Sequence, residues 1–475
     1  MAELFFRTGA FPLTVDELLA GLPDASPDGR QVYLVSEAGQ IPAASAPDLQ
    51  RDMRFVITAR VRSREADLLI STQATVDAED AVDAMDAFLQ VAAWDDQAKV
   101  FNFYMRIGPT WVWAGNSWDA LEPDSRGKGC FDSHVNGSVV MKELKKPWLN
   151  WHSERTDIPV DRKDPLRRNP LYGEVIGAEN LERTIEALVQ QWTKARLAKV
   201  STSGLIERPH HLLRHLLSTS TVNLASTDIQ SSSITRTDDP LVAPMGFWLN
   251  RDALIDNLPV NISTAPPSLP ADKYVDSLTQ FGMHLKEGRF RQPGDAYFAF
   301  VVPEASLEDN EVIKQMVSSG LISAKFAACC LMVDFPNPVF SVFREHLMRY
   351  VPSTITPRTA LENQIVEAIL DAATRLPTES PEGQFMAHWQ LPDEEWPDIF
   401  ARRLDAYLNT VATRARTEDG FNDYMRLAES RRRQFRRSKL NEFCLTTPLT
   451  NIPLDAPLLA MREDGTVTEL VSPNH

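Results

Sequence analysis

The hydrophobic pattern of this 475-residue chain changes period once, near Ser138, and that change limits the folds open to it. Between 54 and 115, apolar residues alternate with polar ones or form short continuous runs, which is typical of β-strands. After Ser138 they recur at three- and four-residue spacing, which is typical of amphipathic helices. Strands followed by helices predict an α+β protein rather than a wound parallel sheet.

The same change suggests how the chain is divided. We expect a β-rich region over 1–137 and a mainly helical region over 138–475. Polar, proline-containing segments at 227–244 and 261–270 have the composition of loops or linkers, so a boundary near 227–270 would divide the helical region again.

Within the first region the pattern predicts five strands, at 55–62, 67–72, 88–94, 100–105 and 110–115. Ile107, Gly108 and Pro109 give a turn signal between two aromatic runs, which predicts a hairpin. Helical spacing of Val82, Met85 and Phe88 predicts a short helix inserted between strands.

Helical periodicity predicts the main elements of the second region. We expect helices at 179–200, 206–217, 271–287, 309–319, 322–333, 339–351, 360–376 and about 394–437, the last broken near Asp419 and Gly420. Two segments, at 221–226 and 297–302, have strand-like patterns instead.

Charge argues against nucleic acid and anionic membranes as partners. Acidic residues outnumber basic ones by 65 to 49, giving a formal charge of -16 that repels phosphate backbones and acidic lipid surfaces. The basic segment 430–439 is a local exception with six cations. It fits either the solvated last turns of a helix or a patch that docks an anion or a partner.

Cysteine usage and hydropathy indicate a cytoplasmic protein, unless a leader has been removed. The chain has four cysteines, and adjacent Cys329 and Cys330 lie in an apolar run that predicts buried helix rather than a disulfide framework. No stretch approaches eighteen consecutive apolar residues, so we expect no membrane span. Walker, dinucleotide-binding, zinc-protease, nucleophile-elbow and EF-hand motifs are absent from the sequence.

Six of the ten tryptophans lie between Trp94 and Trp151. Alternation along 110–114 places Trp111 and Trp113 on one face of a strand. Such aromatics either form sheet core or line a pocket for a ring-containing ligand, and in the second case Trp111 and Trp113 are candidate cofactor-binding residues.

A glycine-rich loop at 126–137 follows, and with the segment after Pro147 it supplies three candidate catalytic residues, Asp132, His134 and His152. Here a carboxylate would orient an imidazole that acts as general base or ligand, and His134 with His152 would hold a metal. The run from Cys130 to His134 differs by Ser133 from a covalent haem motif, so metal or haem is a candidate cofactor.

A second histidine group, at His210, His211 and His215, follows Pro209. His211 and His215 share a helix face and would reach one metal, with Glu207 as the nearest carboxylate. Without a secure third ligand, the simpler interpretation is the polar side of an amphipathic helix.

These observations favour an enzyme of unassigned reaction acting on a small organic molecule. Metal- or haem-dependent oxidative chemistry, hence an oxidoreductase, and direct acid–base chemistry on an aromatic or lipid-like molecule both fit. The alternative is a non-catalytic protein that binds a partner or associates with copies of itself through an exposed helical face.

Overall fold

The computed structural model describes most of the chain. The described residues are 1–22, 29–36, 53–60, 67–74, 87–125, 128–132, 134, 137, 139, 150–154, 157–158, 160–218, 222–225, 234–287, 290–294, 302–356, 360–437 and 448–473.

An antiparallel sheet of six strands forms the N-terminal part, with the strands adjacent in chain order. They are β1 (Arg30–Ser36), β2 (Met53–Ala59), β3 (Leu68–Gln73), β4 (Leu89–Asp95), β5 (Val100–Ile107) and β6 (Thr110–Asn116). All five predicted strands and the hairpin are confirmed, and Gly108 adopts the left-handed φ of 55° in that turn. The sequence prediction missed β1, which pairs with β2 along its whole length.

Both faces of the sheet are covered, which explains why the strands contain continuous apolar runs. Val56, Leu69 and Phe103 lie on what we call the first face, and their neighbours on each strand point to the second face. The second face packs against two short N-terminal helices, α1 (Ala2–Thr8) and α2 (Val15–Ala20).

The first face is covered by the long helix α3 (Ala178–Ser203). Its side chains Leu181, Ile185 and Leu188 are fully buried in the core that contains Phe103. Leu197, near the other end of α3, belongs instead to the core of the helical part. A single helix therefore joins the two cores.

Helices dominate the rest of the described chain, so the α+β prediction is confirmed. They are α4 (His210–Leu217), α5 (Met245–Trp248), α6 (Ala271–Gln280), α7 (Leu307–Ser318), α8 (Ala324–Met332), α9 (Val342–His346), α10 (Leu361–Ala373), α11 (Pro381–Trp389), α12 (Trp396–Arg414) and α13 (Glu418–Arg437). Two-stranded pairs lie between these helices and after the last one. They are formed from β7 (Ile206–Glu207), β8 (Val222–Ala225), β9 (Leu241–Val242), β10 (Ser268–Leu269), β11 (His284–Glu287), β12 (Phe290–Pro293), β13 (Val302–Ala305), β14 (Thr354–Ile355), β15 (Leu459–Met461) and β16 (Val467–Glu469).

Several predicted boundaries were wrong. The helix expected over 206–217 begins only at His210, because Ile206 and Glu207 pair with β14 and Pro209 starts the helix. The helix expected over 271–287 ends at Gln280 and is followed by the hairpin β11–β12.

The long C-terminal helix is interrupted just before the predicted position. The hydroxyl of Thr417 accepts a hydrogen bond from the amide of Gly420, so Gly420 lies in the first turn of α13 and the break falls at 415–417.

Three arginines of the basic segment are buried rather than exposed to solvent. Arg431, Arg432 and Arg433 are at least nine-tenths buried, so the expectation of a solvated cationic face is wrong for these three. Arg431 donates to the carbonyl oxygens of Phe247 and Pro336, and Arg433 donates to that of Ala456. These guanidinium groups connect α5 and two loops to α13, because several fixed carbonyls match the fork of an arginine.

Two of the predicted elements lie mostly outside the described residues. They are the short helix expected from Val82, Met85 and Phe88 and the strand expected at 297–302. No helix in the described ranges is long and apolar enough to cross a bilayer.

The packing of α3 on the sheet is testable by truncating one buried side chain. Ile185→Ala should lower the free energy of unfolding by about 2–5 kcal/mol, because it removes transfer energy and leaves a cavity under α3. Lys194→Ala, at an exposed position of the same helix, is the control and should change it by less than about 0.5 kcal/mol. Urea denaturation measures both; equal effects would contradict this packing.

Candidate functional site

His134 lies on the first face of the sheet, where its ring stacks on Phe103 with centroids 4.9 Å apart. It borders a shallow depression together with Arg54, Gln90 and Cys130, which encloses about 540 Å³ of empty space when its open mouth is included. The predicted loop histidine therefore reaches the sheet surface.

The two other predicted catalytic residues lie in different surroundings. Asp132 ends the 3₁₀ turn Gly129–Asp132, and its side chain is outside the described part. His152 lies beside β1, where its amide donates to Leu34 and its Nδ1 is 3.4 Å from Oδ1 of Asp157. Burial lowers the pKa of His152, partly offset by Asp157 and Glu179.

The backbones next to His134 and His152 belong to separate strands. Three strands lie between β1 and β5, a distance of about 19 Å along the sheet at the usual strand spacing. No group of three histidine, cysteine, aspartate or glutamate side chains that would hold a metal occurs among the described residues.

Trp111 and Trp113 share a face, as predicted, but it is the second face rather than that of His134. The indole of Trp111 packs against Phe5 and donates to the carbonyl of Pro12. Trp113 is half exposed and donates to Asn102. They are separated from His134 by the sheet, and a cofactor-binding role for them stays a prediction.

The other histidine group borders a larger cleft between the sheet and the helical part. This cleft encloses about 1250 Å³ of empty space, including its open mouth. Its lining comes from the turn after β6, the end of α3, β7 and the start of α4: Trp118, Glu122, Arg196, Lys199, Leu205, Ile206, Glu207, Arg208, His211 and Leu212.

A chain of buried polar groups supports one wall of the cleft. Oδ1 of Asp309 on α7 lies 2.7 Å from Nδ1 of His215 on α4. Nε2 of the same ring lies 3.3 and 3.5 Å from the two terminal nitrogens of Arg196 on α3. Burial and the charge of Arg196 hold the pKa of His215 well below its ordinary value, so the ring is neutral, donates to Asp309 and accepts from Arg196.

Two buried polar atoms of the lining lack a hydrogen-bond partner among the described residues. They are Nε of Arg196 and Nε2 of His211. Arg196 is 1% exposed and His211 6% exposed. A buried polar group without a partner costs about 1–3 kcal/mol, so a ligand or bound water that satisfied these two atoms would stabilise the protein.

The charged groups that act on His211 are cationic, although the protein as a whole is acidic. Burial lowers the pKa of His211 to about 3, and the charges of His210, Arg214, Arg208 and Arg196 act in the same direction. Burial lowers the pKa of Arg196 to about 10, which leaves it charged at neutral pH. A neutral imidazole thus lies beside fixed cations.

The rim adds charge of both signs. Lys199 and Arg208 are cationic, and Arg208 is bound to the carboxylate of Glu122. Arg208 adopts a left-handed φ of 55° between β7 and α4, a conformation that costs about 1–3 kcal/mol and is concentrated at functional sites.

Comparisons with known proteins give no further guide: no family model, curated protein or solved structure matches this chain.

Breaking the buried polar chain should destabilise the fold. Asp309→Ala should lower the free energy of unfolding by about 1–3 kcal/mol, because it leaves Nδ1 of His215 buried without its acceptor and removes one of the two carboxylates that offset the charge of Arg196. Asp371→Ala, which breaks the exposed pair with Arg375, should cost about 0.5 kcal/mol or less. Chemical denaturation at pH 7 compares the two, and similar losses would contradict the burial of this chain.

The lowered pKa of His211 makes stability depend on pH. The unfolded imidazole takes up a proton near pH 6.5, whereas the folded one stays neutral down to about pH 3, so its contribution falls as the pH drops through that window. We expect His211→Gln to lose less stability than the wild type between pH 7 and 5 in urea denaturation. Parallel pH profiles would contradict the shift.

Proposed function

We propose that the protein is an enzyme that binds a small organic anion in the cleft and uses His211 as a general base. The observation that carries this proposal is the pair of buried, unpartnered atoms in one lining, Nε of Arg196 and Nε2 of His211. Nε of Arg196 is a hydrogen-bond donor on a positively charged group. Nε2 of His211 belongs to an imidazole, which either accepts or donates a proton.

The support for an anion is electrostatic. His215 occupies the terminal nitrogens of Arg196, so the guanidinium is held in one orientation with its Nε–H left over. A carboxylate or phosphate oxygen would satisfy that donor with a charge-assisted hydrogen bond. Low-dielectric walls concentrate such a positive field within a cleft, even though the protein as a whole carries a charge of -16.

The support for proton transfer is the state of His211. At a pKa of about 3 the free imidazole is neutral but a weak base. An anion bound beside it would offset the neighbouring cations and raise its pKa toward neutrality, where general-base catalysis is most efficient. The base would then be activated by the substrate itself.

Oxidative chemistry on a metal or haem at His134 and His152 stays a prediction from the sequence. Of the two chemistries that the sequence left open, acid–base chemistry is the one that the lining of the cleft supports. A partner-binding role and association of identical chains likewise stay predictions.

Anion binding and its proton linkage are measurable together. Titration of the wild type with acetate and with phosphate at pH 6 should show binding with uptake of a proton, because the anion raises the pKa of His211. Calorimetry in two buffers of different ionisation enthalpy measures that uptake. His211→Gln should abolish it, while Lys194→Gln, an exposed cation on α3 outside the cleft lining, should leave it unchanged.

Proton abstraction by His211 is measured separately from anion binding, by hydrogen–deuterium exchange. Exchange of the carbon-bound protons of 2-oxo acids such as pyruvate into deuterium oxide, followed by proton NMR, should be about 10²–10⁴ times faster with the wild type than with His211→Gln. Anion binding without His211-dependent exchange would favour the non-catalytic alternative. No binding of either anion would overturn the proposal.

A further inference from the structure

The cleft has an aromatic side as well as a charged one. Trp118 follows β6 directly and packs edge-to-face on Trp192 of α3, with ring centroids 5.0 Å apart. Its position is fixed by the preceding turn, since the side-chain oxygen of Asn116 accepts hydrogen bonds from the amides of Trp118 and Asp119. Trp118 is only partly buried and contributes to the lining.

An exposed cation, Lys199, covers the ring of Trp118. Nζ of Lys199 lies 4.6 Å from the ring centroid, while Lys199 itself is exposed at the end of α3. A lysine on a flexible stem gains only about 0.5–1 kcal/mol from such a contact at an exposed site, so a ligand that offers a better partner displaces it easily. The indole face is thus available to a flat group.

Apolar side chains extend the aromatic side. Ile206 and Leu212 are almost fully buried, and both line the cleft with Leu205. The lining therefore combines an apolar, partly aromatic surface with the charged pair of Arg196 and His211. Ligand sites of enzymes commonly have this division, in which the apolar area supplies affinity and a few polar groups fix orientation.

We infer that the ligand is an aryl carboxylate or a similar aromatic anion, with its ring against Trp118 and its anionic group at Arg196 and His211. This inference rests on the proposed function and adds the substrate class to it. Lys199, released from the ring, would be left near the anionic end or in solvent. Stacked aromatic pairs contribute about 0.5–1.5 kcal/mol beyond the area they bury, so Trp118 would discriminate flat from flexible anions.

Three ligands distinguish the contribution of the aromatic ring to binding from that of the negative charge: 2-naphthoate, hexanoate and 2-naphthalenemethanol. Ligand-observed NMR titration of the full chain should give the lowest Kd for 2-naphthoate, a Kd about tenfold higher for hexanoate, and weaker binding still for the uncharged alcohol. Trp118→Leu should raise the Kd of 2-naphthoate about tenfold and leave that of hexanoate unchanged. Trp118→Phe, which keeps a ring, should stay within about threefold of the wild type.

Each outcome decides between the two proposals. Unchanged binding of hexanoate by Trp118→Leu shows that the variant is folded and that the loss belongs to the ring. If hexanoate binds the wild type as tightly as 2-naphthoate, or if Trp118→Leu has no effect on 2-naphthoate, the aromatic class is wrong while anion binding stands. If neither anion binds, or if the alcohol binds as tightly as 2-naphthoate, the proposed anion function fails as well.

Discussion

A guanidinium buried between two hydrophobic cores is the constraint on which the centre of this protein depends. An isolated charge in such a position is too costly to persist, so Arg196 must have compensating groups within reach. The charge of Glu308 stabilises the charged form of Arg196. His215 contacts the guanidinium, and Asp309 contacts the other side of the His215 ring. Since these residues lie on α3, α4 and α7, satisfying one charge also fixes how three helices meet.

The cleft follows from the same arrangement. The terminal nitrogens of Arg196 contact His215, and Arg196 and His211 both line the cleft, where Nε of Arg196 and Nε2 of His211 have no hydrogen-bond partner among the described residues. The turn after β6 brings Trp118 to the other side of that boundary. A charged wall from the helical part and an aromatic wall from the sheet thus meet in one place, which neither part would form alone. Junctions between structural units commonly hold ligand sites for this reason.

The elements that the sequence predicted well are those whose burial follows from local pattern. The strands β2 to β6, the helix α3 and the buried Cys329 and Cys330 each have their apolar residues at the spacing that their environment requires. The errors arose where long-range contacts override local preference, as at Ile206, which pairs with β14 instead of extending α4. The pattern predicts that the histidines of α4 form the polar side of an amphipathic helix, whereas His211 and His215 are buried and α7 covers His215.

The sequence by itself determined the α+β class, the order of the strands along the chain and the concentration of tryptophans from which Trp118 comes. These properties depend on side-chain period and composition, which are local. Only the tertiary structure decided which polar residues would be buried together. Asp309 lies far along the chain from Arg196 and His211, and the local sequence does not show that these three residues are buried together. Their proximity comes from packing α3 against both the sheet and the helical core, and that proximity creates the site.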